Sequence, residues 1–343
     1  MLVGIHVNYK DNLTPYTKRY IDILSYNNID YKIISIQDEM FWEIFGKLDA
    51  FIFQIGHISD MLQIADSFMS IIYIYTNIPV YPNFNTFWHY DNKIKQHYLA
   101  NFFKLKFVDT WVFWDKERAK EWLNTANFPL VVKLRGGAGS NNVTMLRNSY
   151  QAKRLINRAF SKGIKDSTLP SSWRVKYLPI NKYLHHRMVR IKRKLLREDT
   201  NLYWCINKNY IYFQKYLPNN DYDTRVVVIG DKTFAFRRFN RHRDFRASGS
   251  GKIDYNVDFI DKRMLQIALD TSKECGFQCM AYDFLYDNNN PVICEISYTY
   301  IDEAVYRCPG YWDKNLKWHE GHFWPQYFIL QDLLKINLTY SDS

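Results

Sequence analysis

The sequence predicts an α/β protein of two or three domains, led by a small α/β domain with a parallel sheet. Three observations carry this expectation. Apolar β-type runs alternate with helical patterns over residues 1–105, the order that produces parallel strands covered by helices. Two later strand-like runs, 128–134 and 143–146, flank a glycine-rich stretch at 135–142. A third pair, 279–286 and 292–297, flanks a turn of Asp, Asn and Pro, the signature of a β-hairpin. The 343 residues also exceed what a single core usually organises, about 250–300.

In the N-terminal region, residues 2–7, 31–36 and 50–55 read as strands, with helices at 15–26 and 59–69 between them. The first strand is not followed by G-x-G-x-x-G, so there is no dinucleotide fingerprint. Residues 85–103 read as one helix with Asn85 or Thr86 as its N-cap. A second unit begins near Asp109. In its strand 128–134, Lys133 shares a face with Val131, opposite Leu130, Val132 and Leu134, and the chain then enters Gly136, Gly137, Ala138, Gly139 and Ser140. Such a loop offers backbone N–H groups that can close over phosphates. The plainer alternative is an ordinary hairpin loop.

Residues 182–197 place Leu184, Met188, Ile191 and Leu195 on one helical stripe, with a strongly basic remainder. Two readings stay open there: a helix with a solvated face, or a peripheral surface for a polyanionic or membrane-linked acceptor. A two-residue turn at Gly230-Asp231 pairs Ile229 with Lys232, puts Arg238 opposite Asp223, and gathers Asp223, Arg225 and Arg238 on one face. Arg246 follows in a small-residue loop. If Tyr286 and Val292 close the last hairpin, Asp283 lies opposite Glu295. Facing like charges need a proton or a cation between them, and Mg²⁺ is the first expectation because hard cations take carboxylate oxygens; an exposed, solvated pair is the alternative. Arginines converging on carboxylates suit phosphoryl transfer.

With 46 basic against 35 acidic residues the net charge is +11, favouring anionic partners. The basic residues are spread along the chain without a recognition motif, which argues against nucleic acid. Five cysteines without metal-ligand spacing imply reduced thiols and a cytoplasmic protein. The N-terminus reads as a strand, not a signal peptide, and the longest apolar run, 68–75, is too short to span a bilayer. Gly249-Ser250-Gly251-Lys252 is not a P-loop, because Arg246 and Ile253 stand where Gly and Ser/Thr are required, and His319 and His322 are one residue too close for a zinc HExxH.

Taken together, the strand with Lys133, the loop 136–140, the run 213–217, Asp223-Thr224-Arg225, Asp244-Phe245-Arg246 and the hairpin 283–297 resemble the ATP-grasp superfamily over residues 85–300. They are most similar to the branch of ribosomal-protein glutamate ligases and glutathione synthetases. The resemblance implies two α+β subdomains clamping ATP, at 106–213 with the phosphate loop and a basic helical insertion, and at 214–343 with a metal site and an aromatic C-terminal segment, after an N-terminal domain at 1–105. It further implies that Lys93 and Lys133 touch ATP phosphates, that Gln214, Lys215 and Leu217 hold adenine, and that Asn219 lies near the ribose. Asp283, Glu295 and Ser297 are then the Mg²⁺ ligands, although Ser297 stands where the family usually has Asn, and its hydroxyl reaches less far. Arg225, Arg238 and Arg246 become the groups that stabilise the reacting phosphoryl. The implied activity is an ATP-dependent carboxylate–amine ligase, with a kinase and a catalytically degenerate ATP-binding regulator as alternatives. The segment beyond Tyr298 is similar to tails of ATP-grasp proteins of surface-polysaccharide loci, which points to a small-molecule or saccharide carboxylate and an amine such as an amino acid. Its aromatic rings suit either a sugar platform or a core.

Overall fold

The computed structural model describes residues 1–7, 13–55, 59–137, 142–165, 206–241, 245 and 251–340. The expected N-terminal parallel sheet is present. Strand β1 (Leu2–His6) pairs in parallel with β2 (Asp30–Ile34) and β3 (Ala50–Ile52), and β3 with β4 (Val80–Tyr81), in the order β2-β1-β3-β4. The helix Pro15–Tyr26 starts where its chemistry says it should. Pro15 occupies the first turn, and the Thr14 hydroxyl accepts from the Thr17 N–H at 3.1 Å.

The helix expected at 85–103 is instead two, Phe84–Phe87 and Lys93–Phe102. Asn83 and Asn92 each cap one, accepting from Thr86 N–H and Lys95 N–H. Asp91 between them takes a left-handed backbone, φ +46°. The break makes Lys93 the first residue of a helix rather than a position in its middle.

The second sheet contains β5 (Thr110–Phe113), β6 (Leu130–Lys133) and β7 (Val143–Leu146); a short pair, β8 (Ile164–Lys165) and β9 (Ile206–Asn207), precedes its last strand, β10 (Ile211–Lys215). The order is β5-β10-β6-β7, antiparallel throughout. Alternation divides its faces as expected. Leu130, Val132, Leu134 and Phe213 join a core with Ala119, Ala152 and Ile156 of the helices Lys116–Trp122 and Ser149–Ala159, while Val131 and Lys133 point the other way.

The third sheet holds β11 (Tyr222–Ile229), β12 (Lys232–Phe239), β13 (Ile253–Asp254), β14 (Cys279–Asp287), β15 (Asn290–Ser297), β16 (Gly310–Trp312) and β17 (Trp318–Glu320). The order is β15-β14-β11-β12-β16-β17, with β13 beside β12. Ile229 pairs with Lys232 and Asp223 with Arg238, as the Gly230-Asp231 turn requires. Asp283 does pair with Glu295, but by a different route from the one expected. The turn is tighter, closing on Asp287 and Asn290 around Asn288 and Asn289, both left-handed at φ +49° and +65°. A β-bulge at Cys294 then shifts the register by one residue and restores the pairing.

Two apolar clusters run between the first and third sheets, one joining Phe51 and Phe53 to Val226 and Tyr282, the other joining Val3 and Tyr20 to Val227 and Phe234. The second sheet alone has a core of its own. The aromatic C-terminal segment feeds these clusters. Trp312 is buried against Trp318, Phe328 of the helix Pro325–Leu334 packs on Phe234, and Trp324 stacks on Tyr306 at 4.0 Å beneath the Arg19 guanidinium. Trp312 and Trp324 are core residues, while Tyr311, Trp318 and Phe323 are only partly buried. No described helix is long and apolar enough to cross a membrane.

Candidate active site

The inward face of the second sheet meets the β14–β15 hairpin at Lys133. Its side chain is buried, and Nζ lies 3.3 Å from the Cys294 carbonyl and 3.5 Å from its Sγ. The bulge matters here because the extra residue it inserts is Cys294, so the backbone lysine contact is made where the ladder is interrupted. Burial alone depresses an ammonium, but Cys294 and Glu295 outweigh it and hold Lys133 charged, above the usual lysine range.

Lys93 approaches from the N-terminal end of its helix. Nζ donates to the Gly137 carbonyl at 3.2 Å and pairs with Glu295 Oε1 at 3.1 Å. The glycine loop is anchored at both ends. Asp91 accepts from the Gly137 N–H at 2.9 Å, Asn142 Nδ2 donates to the Gly136 carbonyl at 3.0 Å, and the Lys93 N–H donates to the Arg135 carbonyl at 2.9 Å. A Cβ on Gly136 falls 2.8 Å from the Asp91 carboxylate and 3.3 Å from its backbone carbonyl, so a side chain there would press on the carboxylate that holds the Gly137 N–H. Asp91 was not singled out from sequence; the only signal was its position in Asp91-Asn92-Lys93, just before a capped helix start. Ala138, Gly139 and Ser140 lie outside the described residues, as do Arg246 and the basic stretch 182–197.

On the third sheet the charges are matched within the protein. Arg225 grips Asp283 with Nε and Nη2 at 2.7 and 2.9 Å, and Arg238 grips Asp223 at 2.7 and 2.6 Å while also reaching Asp283 at 2.8 Å. The sequence put these arginines on one face, but which carboxylate each meets depends on β11 lying between β12 and β14. Burial would raise the Asp283 pKa, yet two guanidiniums hold it well below the usual carboxylate range. Asp223 is pushed upward by burial, with Arg238 only partly opposing this and the nearby charge of Asp283 adding to it. Glu295 is one-third exposed at its side chain, against 13% for Asp283, and Lys93 and Lys133 draw its pKa down against the effect of burial. Ser297 turns its hydroxyl to the Thr299 carbonyl at 2.9 Å.

The hinge between the second and third sheets is fixed by side chains. Lys215 Nζ pairs with Asp287 at 2.6 Å, and Asn220 exchanges hydrogen bonds with the Tyr286 backbone at 2.8 and 3.0 Å. Asn220 is a second residue missed from sequence; an Asn in a turn carries no signal of so distant a partner. Leu217 is buried, whereas Asn219 is exposed in a left-handed turn, φ +61°. Gln214 is buried with its Nε2 3.3 Å from Thr110 Oγ1.

Comparison with solved structures shows which fold carries this arrangement. Over 98% of its length the chain superposes on all of a RimK domain ATP-grasp protein from Sphaerobacter thermophilus, with a TM-score of 0.56 at 11% identity. The chain has the ATP-grasp fold. The same architecture relates it to a biotin carboxylase domain from Hydrogenobacter thermophilus 2-oxoglutarate carboxylase, TM-score 0.59 at 12% identity over 99% of this chain and 71% of that one. A D-alanine–D-alanine ligase from Bacillus anthracis gives 0.52 at 12% identity over 87% and 86%. No protein-family profile and no curated protein matches the sequence. In the ATP-grasp fold seen here, therefore, similarity resides in the backbone, and the chain's own residues carry any argument about chemistry.

Proposed function

We propose that the chain is an ATP- and Mg²⁺-dependent carboxylate–amine ligase that works through an acyl phosphate and releases ADP. The observation that carries this reading is the double engagement of Lys93, which touches both the glycine loop and Glu295. A triphosphate held at Gly136 and Gly137 lies within the span of one lysine of the carboxylate hairpin, and Ala138, Gly139 and Ser140 continue the proposed phosphate loop in the sequence. Lys133 is the second phosphate contact. Gln214, Lys215 and Leu217 take the adenine, and Asn219 lies towards the ribose.

The donor set fits a metal that arrives with the nucleotide. Asp283 already accepts three bonds from arginines, and Glu295 gives one oxygen to Lys93. Lys93, Lys133, Arg225 and Arg238 against Asp223, Asp283 and Glu295 leave a net charge of +1, and among the described residues no group of three or more His, Cys, Asp or Glu is placed to hold an ion. A free divalent ion is repelled by such a cluster, whereas one already neutralised by phosphates is not. Glu295 is the more accessible ligand, with Asp283 behind it and Ser297 as the weakest. Held by these residues, Mg²⁺ would supply charge neutralisation for the phosphates.

In the reaction, a substrate carboxylate oxygen attacks the γ-phosphorus, the bond to the β–γ bridging oxygen breaks, and ADP leaves. The amine nitrogen then attacks the acyl carbon, gives up a proton, and expels phosphate to form the amide. Arg225 and Arg238 contribute positive potential beside the transferring group, joined by Arg246, and no side-chain nucleophile is needed. For the substrates, a uronic acid or amino sugar joined to an amino acid is the pair to assay first; its support is the resemblance of the segment after Tyr298, since Trp312 and Trp324 are buried. Incubation with Mg-ATP, candidate carboxylates and hydroxylamine tests the proposal. A ligase yields a hydroxamate and ADP; a stable phosphate ester on a hydroxyl instead makes the chain a kinase and overturns the ligase reading.

A further inference from the structure

Both peptide groups of Gly137 are taken by side chains from the start of the helix Lys93–Phe102. Asp91 Oδ1 accepts from its N–H at 2.9 Å, and Lys93 Nζ donates to its carbonyl at 3.2 Å while pairing with Glu295 at 3.1 Å. A glycine-loop N–H is a donor suited to a phosphate oxygen, and the group that holds it here is an anion of the protein itself. A carboxylate and a phosphate compete for such a donor, and at contact range they repel.

The loop does not depend on Asp91 for its mounting. The Arg135 N–H donates to Tyr210 Oη at 2.8 Å, the Lys93 N–H donates to the Arg135 carbonyl at 2.9 Å, and Asn142 Nδ2 donates to the Gly136 carbonyl at 3.0 Å. The backbone around Asp91 is tied to the third sheet instead. Thr299 Oγ1 donates to Tyr90 Oη at 2.9 Å, and Gln96 Nε2 donates to the Ile296 carbonyl at 3.0 Å. With both backbones held independently, the carboxylate can leave Gly137 by rotating its own side chain. Its left-handed backbone, φ +46°, is one that Asp tolerates better than most residues.

We infer that Asp91 is an internal competitor for the nucleotide: its carboxylate occupies the Gly137 N–H as a phosphate oxygen would, and a triphosphate must displace it to bind. This deepens the nucleotide reading and rests on it. Asp91 thereby lowers the affinity for polyphosphates and leaves the adenosine part of the ligand untouched.

Calorimetric titration of the full chain with Mg-ATP, tripolyphosphate and adenosine tests this in wild type, Asp91→Asn and Asp91→Gly. Both replacements suit a left-handed backbone. Asparagine keeps an acceptor for the Gly137 N–H and removes only the charge, whereas glycine removes both. Each variant should bind Mg-ATP and tripolyphosphate about tenfold more tightly than wild type, tenfold being 1.4 kcal/mol, with adenosine affinity unchanged. Asparagine, nearly isosteric with Asp, carries the test alone if Asp91→Gly does not fold. A merely structural role for Asp91 predicts the opposite, weaker ATP binding with a lower Tm. Mg-ATP affinity equal to or below that of wild type in the folded variants, or an equal gain for adenosine, overturns the competitor and leaves the nucleotide reading standing. Failure of wild type to bind ATP at all sinks both.

Discussion

The two sides of the site handle positive charge differently. On the third sheet, Arg225 and Arg238 each find carboxylates inside the protein, in bidentate geometry and out of water. On the opposite side, Lys133 rests on a neutral carbonyl and a thiol, and Lys93 divides itself between a glycine carbonyl and the one partly exposed carboxylate. A guanidinium fork suits fixed planar pairing, whereas an ammonium on a flexible stem exchanges partners readily. The arginine side is therefore built into the fold, and the lysine side, with its exchangeable partners, is the one our proposal gives to the phosphates.

The strongest way to break this contrast is Asp283→Ala. Removing the shared carboxylate leaves Arg225 unpaired and Arg238 with Asp223 alone, and uncompensated buried charges of this kind cost about 3–5 kcal/mol. Urea denaturation should show that loss in full, with activity falling as a consequence. If stability is unchanged and only Mg²⁺ dependence is lost, Asp283 is chiefly a metal ligand and the arginine lattice is not structural.

Lys133→Met should give the opposite pattern. The thioether matches the lysine stem in length and removes a buried charge whose hydrogen-bond partners are the Cys294 carbonyl and thiol, while Glu295 keeps Lys93, so stability should change little. A charge-assisted bond to phosphate is worth about 1.5–3 kcal/mol, so ATP affinity should fall by roughly 10- to 100-fold. Titration calorimetry on a variant shown to be folded separates the two effects. Unaltered ATP affinity removes Lys133 from the phosphate site. Glu295→Gln lies between these cases: its side chain is one-third exposed, so the fold should tolerate it while Mg²⁺-dependent turnover is lost.

Local patterns in this chain were legible where period and turn chemistry decide them. The face of Lys133, the Gly230-Asp231 register and the opposition of Asp283 to Glu295 all follow from counting residues, although the last survives only because the tighter Asn288-Asn289 turn and the Cys294 bulge cancel. What counting cannot supply is which distant strand becomes a neighbour. The Arg225–Asp283 pair exists because β11 inserts next to β14, and the Lys215–Asp287 hinge clamp spans two sheets. The break before Lys93 was hidden for a different reason. Phe87, Tyr90 and Ile94 continue an apolar pattern across it, and the Asn92 cap and the left-handed Asp91 override that pattern locally. The aromatic tail shows the limit of composition, since ring content alone does not separate a core from a platform.

The smallest expected effect sharpens the comparison through pH. His89 sits in that same break, buried between Trp88 and Phe277, and burial lowers its pKa from 6.5 to about 3. The native state keeps the ring neutral while the unfolded chain protonates it near pH 6.5. Stability is thus fully present above that value and falls as the pH drops below it, by about 1.4 kcal/mol per unit, until the folded pKa is reached. His6 in the parallel sheet behaves likewise, with its pKa lowered to about 4. Asp283 has the same sign but a lower window: its depressed pKa means its contribution is lost only as the pH falls below the ordinary carboxylate range, so it stays paired with Arg225 and Arg238 through mild acid. Mild acid should therefore loosen the lysine side first. Hydrogen exchange at pH 5.5 against pH 7.0 should rise in the helix Lys93–Phe102 and in β1 before it rises in β11 and β14, and His89→Phe, which keeps a ring against Phe277, should remove the change in the helix. Uniform acceleration across the three sheets, undiminished in that variant, contradicts a separate foundation for the two sides.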